Sequence, residues 1–218
     1  MKEMHVTKKL IILANSIRPG GRCVAGICAD TGEWVRPVPR HPDRAVTETH
    51  SISRIALLDI VQVPLAGDCP NPPDRYQREN RFVDTWDWKV VGRCSVEDAT
   101  SLCETPNMVL YTNNDRVKPS YMDSLPPAEW KSLLLLKAKV NFGRDYRDQK
   151  RWRATFKDGC GNLLSLKVTD PAVSAKLARR EDISETCLLT ISLAGPWAPP
   201  NGSVPESCYK LVAGVIEL

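Results

Sequence analysis

The chain has 218 residues, 42% hydrophobic and 26% charged, enough to bury one large or two small cores and too apolar for general disorder. A net charge of +4 permits a polyanionic partner without demanding one. No segment approaches the roughly 18 apolar residues of a membrane-spanning helix, so no membrane partner is expected.

Lysines precede a short apolar run at residues 10–14, as in a secretion signal, but Arg18 follows at once and no small-residue cleavage site appears. The run therefore reads as a strand over residues 9–14, and a cytoplasmic location is expected. Gly20 and Gly21 form a turn between Arg18 and Arg22, which can present backbone N–H groups and guanidinium forks to an anion. The bland alternative is an ordinary connection rimmed by solvated arginines. A strand over residues 22–29 runs into the turn Asp30-Thr31-Gly32, and the returning strand, residues 33–38, carries Trp34 and Arg36 two apart, hence on one face. Further strands are expected over residues 56–64 and 82–94, with long polar loops at 39–49 and 67–81. In the fifth strand Trp86 and Trp88 read as core rings rather than as a stacking pair. Ser95 can cap a short helix, with Asp98 at capping-box spacing.

Beyond a connection at residues 106–127, Ser124 and the prolines after it predict a short helix ending near Leu133. Residues 134–142 alternate as a strand, with Leu136, Ala138, Val140 and Phe142 on one face and Lys137, Lys139 and Asn141 on the other. Strands over 151–157 and 162–169 flank Asp158-Gly-Cys-Gly161, whose glycines suit a hairpin turn. Asp170-Pro171 opens a helix reaching about Arg180, and strands at 186–193 and 209–218 complete the set. Five strands with a helix between the third and fourth is the order of an oligonucleotide-binding barrel, or OB-fold, in which the connection between strands 1 and 2 contacts ligand. Here that connection is residues 143–150. It lies in a basic run, Lys137 to Lys157, where eight Lys and Arg residues face two aspartates.

Eight cysteines without a secretion signal are expected to be reduced, and no C-x-x-C pair supports a metal site. No Ser-His-Asp or H-E-x-x-H pattern appears, and His41 and His50 lie in a polar loop. Neither a cofactor nor a catalytic residue is assigned.

Four blocks, Asn15-Ser-Ile-Arg-Pro-Gly-Gly-Arg-Cys-Val-Ala-Gly26, Gly32-Glu-Trp-Val-Arg-Pro-Val38, Leu58-Asp-Ile-Val61 and Tyr76-Gln-Arg-Glu-Asn80, together resemble the dual OB-fold domain family. The resemblance is densest over residues 9–82. It implies a mainly β chain of two tandem OB-fold-like small β-barrels with short helices. It also implies a module that binds or senses nucleic acid, in a prokaryotic defence setting, rather than a catalyst. The expected organisation is an N-terminal barrel over residues 1–105, a connection over 106–127 and a C-terminal barrel over 128–218.

The leading functional expectation is sequence-tolerant binding of single-stranded or structured DNA or RNA. Cations would hold phosphates while Phe142, Tyr146, Trp152 and Phe156 supply rings for base stacking. The candidate contacts are Arg18, Arg22, Trp34, Arg36, Gln77 and Asn80 in the first half, and Lys139, Arg144, Tyr146, Arg147, Lys150, Arg151, Trp152 and Arg153 in the second. Two alternatives stand beside it. One is a small-anion or nucleotide sensor, or an enzyme, centred on Arg18, Arg22, Arg36, Gln77 and Glu79. The other is an adaptor whose partner is an effector protein.

Overall fold

The computed structural model describes residues 6–18, 20–39, 52–68, 75–146, 148–200, 202 and 204–218. The chain divides into two compact units, residues 1–73 with 79–102, and residues 74–78 with 103–218.

The first unit contains β1 (Val6–Arg18), β2 (Gly21–Cys28), β3 (Trp34–Val38), a 3-10 turn (Ile52–Arg54), β4 (Asp59–Asp68), β5 (Asn80–Val83), β6 (Lys89–Arg93) and α1 (Val96–Ser101). Strands pair in the order β1-β2-β3-β5-β4, and β4 returns to β1, so five strands close into a barrel with β6 appended to β4. The pairing of β3 with β5 is parallel, and the other pairings are antiparallel. Leu10, Ile12, Val24, Val35, Val61, Val63 and Leu65 point inward and form the core. Burying each such side chain contributes about 1.5–3 kcal/mol.

The expected strand over residues 82–94 is two strands, because the chain leaves the sheet between β5 and β6. There Trp88 enters the core and Trp86 packs against it, the rings 5.7 Å apart. α1 starts as anticipated, with the Asp98 N–H donating to Ser95 Oγ at 2.9 Å.

β1 carries a bulge between Ile12 and Ala14, opposite Gly26. A Cβ on Gly26 would lie 2.3 Å from the Ile11 carbonyl oxygen, a backbone atom with no rotamer to escape into. Gly26→Ala is therefore expected to cost about 1–3 kcal/mol, read as a lowered urea midpoint. An unchanged midpoint would show that β1 shifts freely at the bulge.

The second unit contains β7 (Arg116–Val117), α2 (Pro119–Asp123), a 3-10 turn (Pro127–Glu129), β8 (Leu133–Arg144), β9 (Trp152–Lys157), β10 (Leu163–Val168), α3 (Pro171–Ala178), β11 (Thr186–Trp197) and β12 (Ser207–Glu217). Its strands run β8-β9-β10-β12-β11, with β11 back on β8 and a parallel β10–β12 pairing. This is the closure of the first barrel repeated strand for strand, with β7 appended to β12. The chain is thus two closed five-stranded barrels in tandem, with few short helices.

α3 begins as its Asp-Pro signal requires, Asp170 Oδ1 accepting from the Ala172 and Val173 N–H groups. The expected helix after Ser124 is instead a 3-10 turn, and Ser124 caps the C-terminus of the preceding α2. Gly161 supplies positive φ (83°) to the β9–β10 hairpin, as expected. Gly159 serves another need, since a Cβ there would meet the Pro106 oxygen at 2.5 Å.

Candidate functional site

In the second barrel β8 alternates as its sequence does. Leu136, Ala138 and Val140 are buried while Lys137, Lys139 and Asn141 are exposed, so the lysines form a polar stripe on the outer face. β9 continues the face: Gly143 pairs with Arg153 and Asn141 with Thr155. The chain between β8 and β9 is closed by its own aspartates. The Asp145 N–H donates to the Arg151 carbonyl at 2.9 Å, and the Lys150 N–H to Asp148 Oδ1 at 3.1 Å. Arg151 pairs with Asp148 at 2.7 Å, both side chains well exposed. Lys139 and Lys150 have no carboxylate partner among the described residues.

At the end of this hairpin Arg144 and Trp152 face each other, the guanidinium carbon 3.6 Å from the indole centroid. Trp152 rests on the core, so the cation covers the outer face of a ring whose inner face is packed. Tyr146 is 76% exposed. Of the other two rings expected to stack, Phe156 lies in the core and Phe142 packs half-buried against it, because both have the inward parity of their strands. Arg147 lies outside the described residues.

Arg153 is on the outer face but is thoroughly engaged. It donates to Asp145 Oδ2 at 3.0 Å, to Ser165 Oγ at 2.9 Å and to the Ser165 carbonyl, and its guanidinium lies 3.8 Å from Asp115 Oδ2. It braces the surface more than it offers charge.

In the first barrel Arg18 is exposed and Arg22 half-buried at the turn end of the β1–β2 hairpin, where Arg18 pairs with Gly21 and Ile17 with Arg22. Trp34 is half-buried. Arg36 does not share an exposed face with it, being 2% exposed and paired with Glu79 at 2.9 Å. The backbone fixes that pair, since β3 and β5 run parallel with Arg36 opposite Asn80 and the Arg36 N–H donates to the Glu79 carbonyl. Asn80 is buried beside it. Asn15, from the first motif block, donates to the Ile55 carbonyl at 2.9 Å and so ties β1 to the segment before β4.

Tyr76 and Gln77 belong to the second unit. The Tyr76 hydroxyl hydrogen-bonds Asp123 at 2.7 Å and receives Arg75 at 2.6 Å, while Gln77 donates to the Leu193 carbonyl at 3.1 Å. Burial and the bond to Asp123 push the Tyr76 phenol up to about 12. Of the residues in the anion-sensor alternative, Arg36 and Glu79 form an ion pair within the first unit, and Gln77 belongs to the second. Among the described residues, no three His, Cys, Asp or Glu side chains converge on a metal position, and no helix is long and apolar enough to cross a membrane.

Lys210 is 1% exposed, and its ammonium donates to the Val109 and Thr112 carbonyls and to Thr112 Oγ1 at 2.5–3.0 Å. Burial lowers it from 10.5 to about 8, against the opposing pull of Asp115 and Asp158. Between those values the unfolded chain holds a proton that the folded chain has released, so this group's contribution to stability rises with pH. It is lowest below pH 8. Wild type is expected to gain stability relative to Lys210→Met between pH 8 and 10 in urea titrations. A gap that narrows with pH would refute this.

Residues 8–215 match the dual OB-containing domain, nearly the whole chain. The chain belongs to that family. No curated protein matches this dual OB-containing domain. Among solved structures it is similar to the HINb domain of p204 (11% identity, TM-score 0.38, 97% of this chain and 94% of that one). A murine DNA-binding protein bound to double-stranded DNA is similar at 11% identity and TM-score 0.34, over 97% and 96% of the two chains. The HIN2 domain of tetrameric p202 matches at 8% identity and TM-score 0.31, over 100% and 96%.

The dual OB-containing domain also has residues at its surface that sequence reasoning passed over. Asp115, Arg116, Trp197 and Tyr209 form a connected group in the second barrel: Arg116 pairs with Asp115 at 2.8 Å, its guanidinium carbon sits 4.9 Å from the Tyr209 centroid, and Trp197 lies 5.8 Å from Tyr209. A tryptophan two residues before a Pro-Pro-Asn-Gly loop was the available signal, since loops at barrel ends carry exposed rings.

Proposed function

We propose that this dual OB-containing domain binds single-stranded or structured nucleic acid, without catalysis and with little sequence preference. The observation that carries the reading is the cation-rich β8–β9 hairpin of the second barrel, where Lys139, Arg144, Lys150 and Arg151 stand with the exposed Tyr146 and the Arg144-covered Trp152. Such cations hold phosphates by counterion release, and rings nearby favour unstacked bases. A defence setting, which rests on the family resemblance, a cytoplasmic location, which rests on residues 10–14 reading as a strand and not a secretion signal, and an effector protein as a further partner belong to the same proposal.

The test is an anisotropy titration of the full chain with labelled single-stranded DNA, RNA and duplexes at about 50 and 200 mM salt. Micromolar or tighter binding that weakens steeply with salt is the expected result. Absence of binding to every probe at low salt would overturn the reading.

A further inference from the structure

Two large rings of the second barrel take no part in its hydrophobic core. Trp197 is 53% exposed at the end of β11, and Tyr209, near the start of β12, lies beside it with the ring planes inclined at 67°. Most tryptophan surface in a small barrel is buried because it is the largest apolar payload available. Here the indole is held at the surface by register: Trp197 pairs with Ser207 and Pro196 with Cys208, and Tyr209 is opposite Arg116 of the appended strand β7. Arg116 braces Tyr209 by its ring contact and by a 3.4 Å bond to the hydroxyl. Trp197, with Tyr209 so braced beside it, keeps just over half of its surface exposed.

The group is continuous with the cationic hairpin. From Asp145 the contacts run to Arg153 (3.0 Å), from Arg153 to Asp115 (3.8 Å), from Asp115 to Arg116 (2.8 Å), and on to Tyr209 and Trp197. Along this line charge is balanced. Asp115 faces both arginines, so Arg116 has little left to offer a phosphate, and what remains at the far end is aromatic surface.

Resting on the nucleic-acid reading, we infer that Trp197, backed by Tyr209 and Arg116, is a stacking subsite for an unpaired base, and that the preferred ligand is single-stranded. Stacking needs a free π-face, which a base inside a duplex does not present. The lysines and arginines around β8 and β9 would hold the phosphates of the same strand. The division of labour predicts different signatures for the two groups of residues.

The experiment titrates the full chain, wild type, Trp197→Ala and Trp197→Phe, with labelled oligo(dT), oligo(U) and a duplex of equal length at two salt concentrations. Trp197→Ala is expected to weaken single-strand binding about 5- to 100-fold with the salt slope unchanged, to leave duplex binding unaltered, and to be largely rescued by Trp197→Phe. Thermal midpoints of all three proteins should agree, since the side chain lies outside the core. Wild-type binding with Trp197→Ala unaffected would overturn the subsite while leaving the proposed function standing. Equal losses on single strand and duplex would overturn it too, pointing to a structural role. No binding by wild type would remove the proposed function itself.

Discussion

Replacing Arg36 by alanine is expected to destabilise the first barrel by about 3–5 kcal/mol, because the buried Glu79 would lose the countercharge that Arg36 supplies at 2.9 Å. Both side chains of the pair are almost wholly inside, at 3% and 9% exposure, and the parallel β3–β5 pairing prevents either from swinging out to water. The cost therefore belongs to the buried charge left behind and not to the net worth of the pair. Two charges brought out of water spend most of their attraction on desolvation, so a double variant, Arg36→Met with Glu79→Met, should recover most of the lost stability. Urea unfolding of the wild type and the three variants closes the cycle. A single variant within about 0.5 kcal/mol of wild type would mean that water reaches Glu79. If the double variant folds and binds nucleic acid as wild type does, Arg36 is a structural residue, as its burial argues.

The second large effect is expected on binding. Changing Lys139, Lys150 and Arg151 together to alanine should lower affinity for single strands at least tenfold at low salt. It should also flatten the slope of log affinity against log salt by about 2, on the order of 0.7 for each phosphate that is no longer neutralised. Lys139 and Lys150 carry most of this expectation, since Arg151 already shares its charge with Asp148. All three are exposed, so the thermal midpoint should move little. An unchanged slope with reduced affinity would assign these residues to packing. An unchanged affinity would move the phosphate track elsewhere on the chain.

The second barrel was the more legible in the sequence because its signals are local. Alternation in residues 134–142, the Asp158–Gly161 turn and the Asp170-Pro171 helix start each depend on neighbours within a few positions, and each lies close to where it was expected. Closure itself was legible in neither barrel, since each hangs on a parallel pairing of residues far apart in the chain, Arg36 with Asn80 and Lys167 with Leu211, which no local pattern encodes. Two of the candidate residues are hard to place from sequence for the same reason. Arg36 and Gln77 look like ligand-facing polar residues until their long-range partners, Glu79 in the barrel wall and the Leu193 carbonyl, are in place. Phe156 was misread by parity, since interleaving rings with cations along a strand puts them on the opposite face. The Lys139 stripe was readable from alternation alone. The Arg144–Trp152 contact was not, because it requires the register of β8 on β9.

The strand order of the two barrels has a consequence for biosynthesis. The first barrel has all its wall strands once β5 ends at Val83, whereas the second lacks its final wall until β12, at Ser207–Glu217, has been made. A ribosome adding about 5–20 residues per second leaves an interval on the order of ten seconds between the two events. In the last part of it, once β10 has been made, the inner faces of β8, β9 and β10 have no closing partner, and Leu164 and Leu166 of β10 wait for the parallel pairing with β12. The chain therefore emerges with one finished barrel tethered to a sheet that is open along one edge. It is in this interval, rather than in the mature protein, that chaperone contact and aggregation compete most directly with folding.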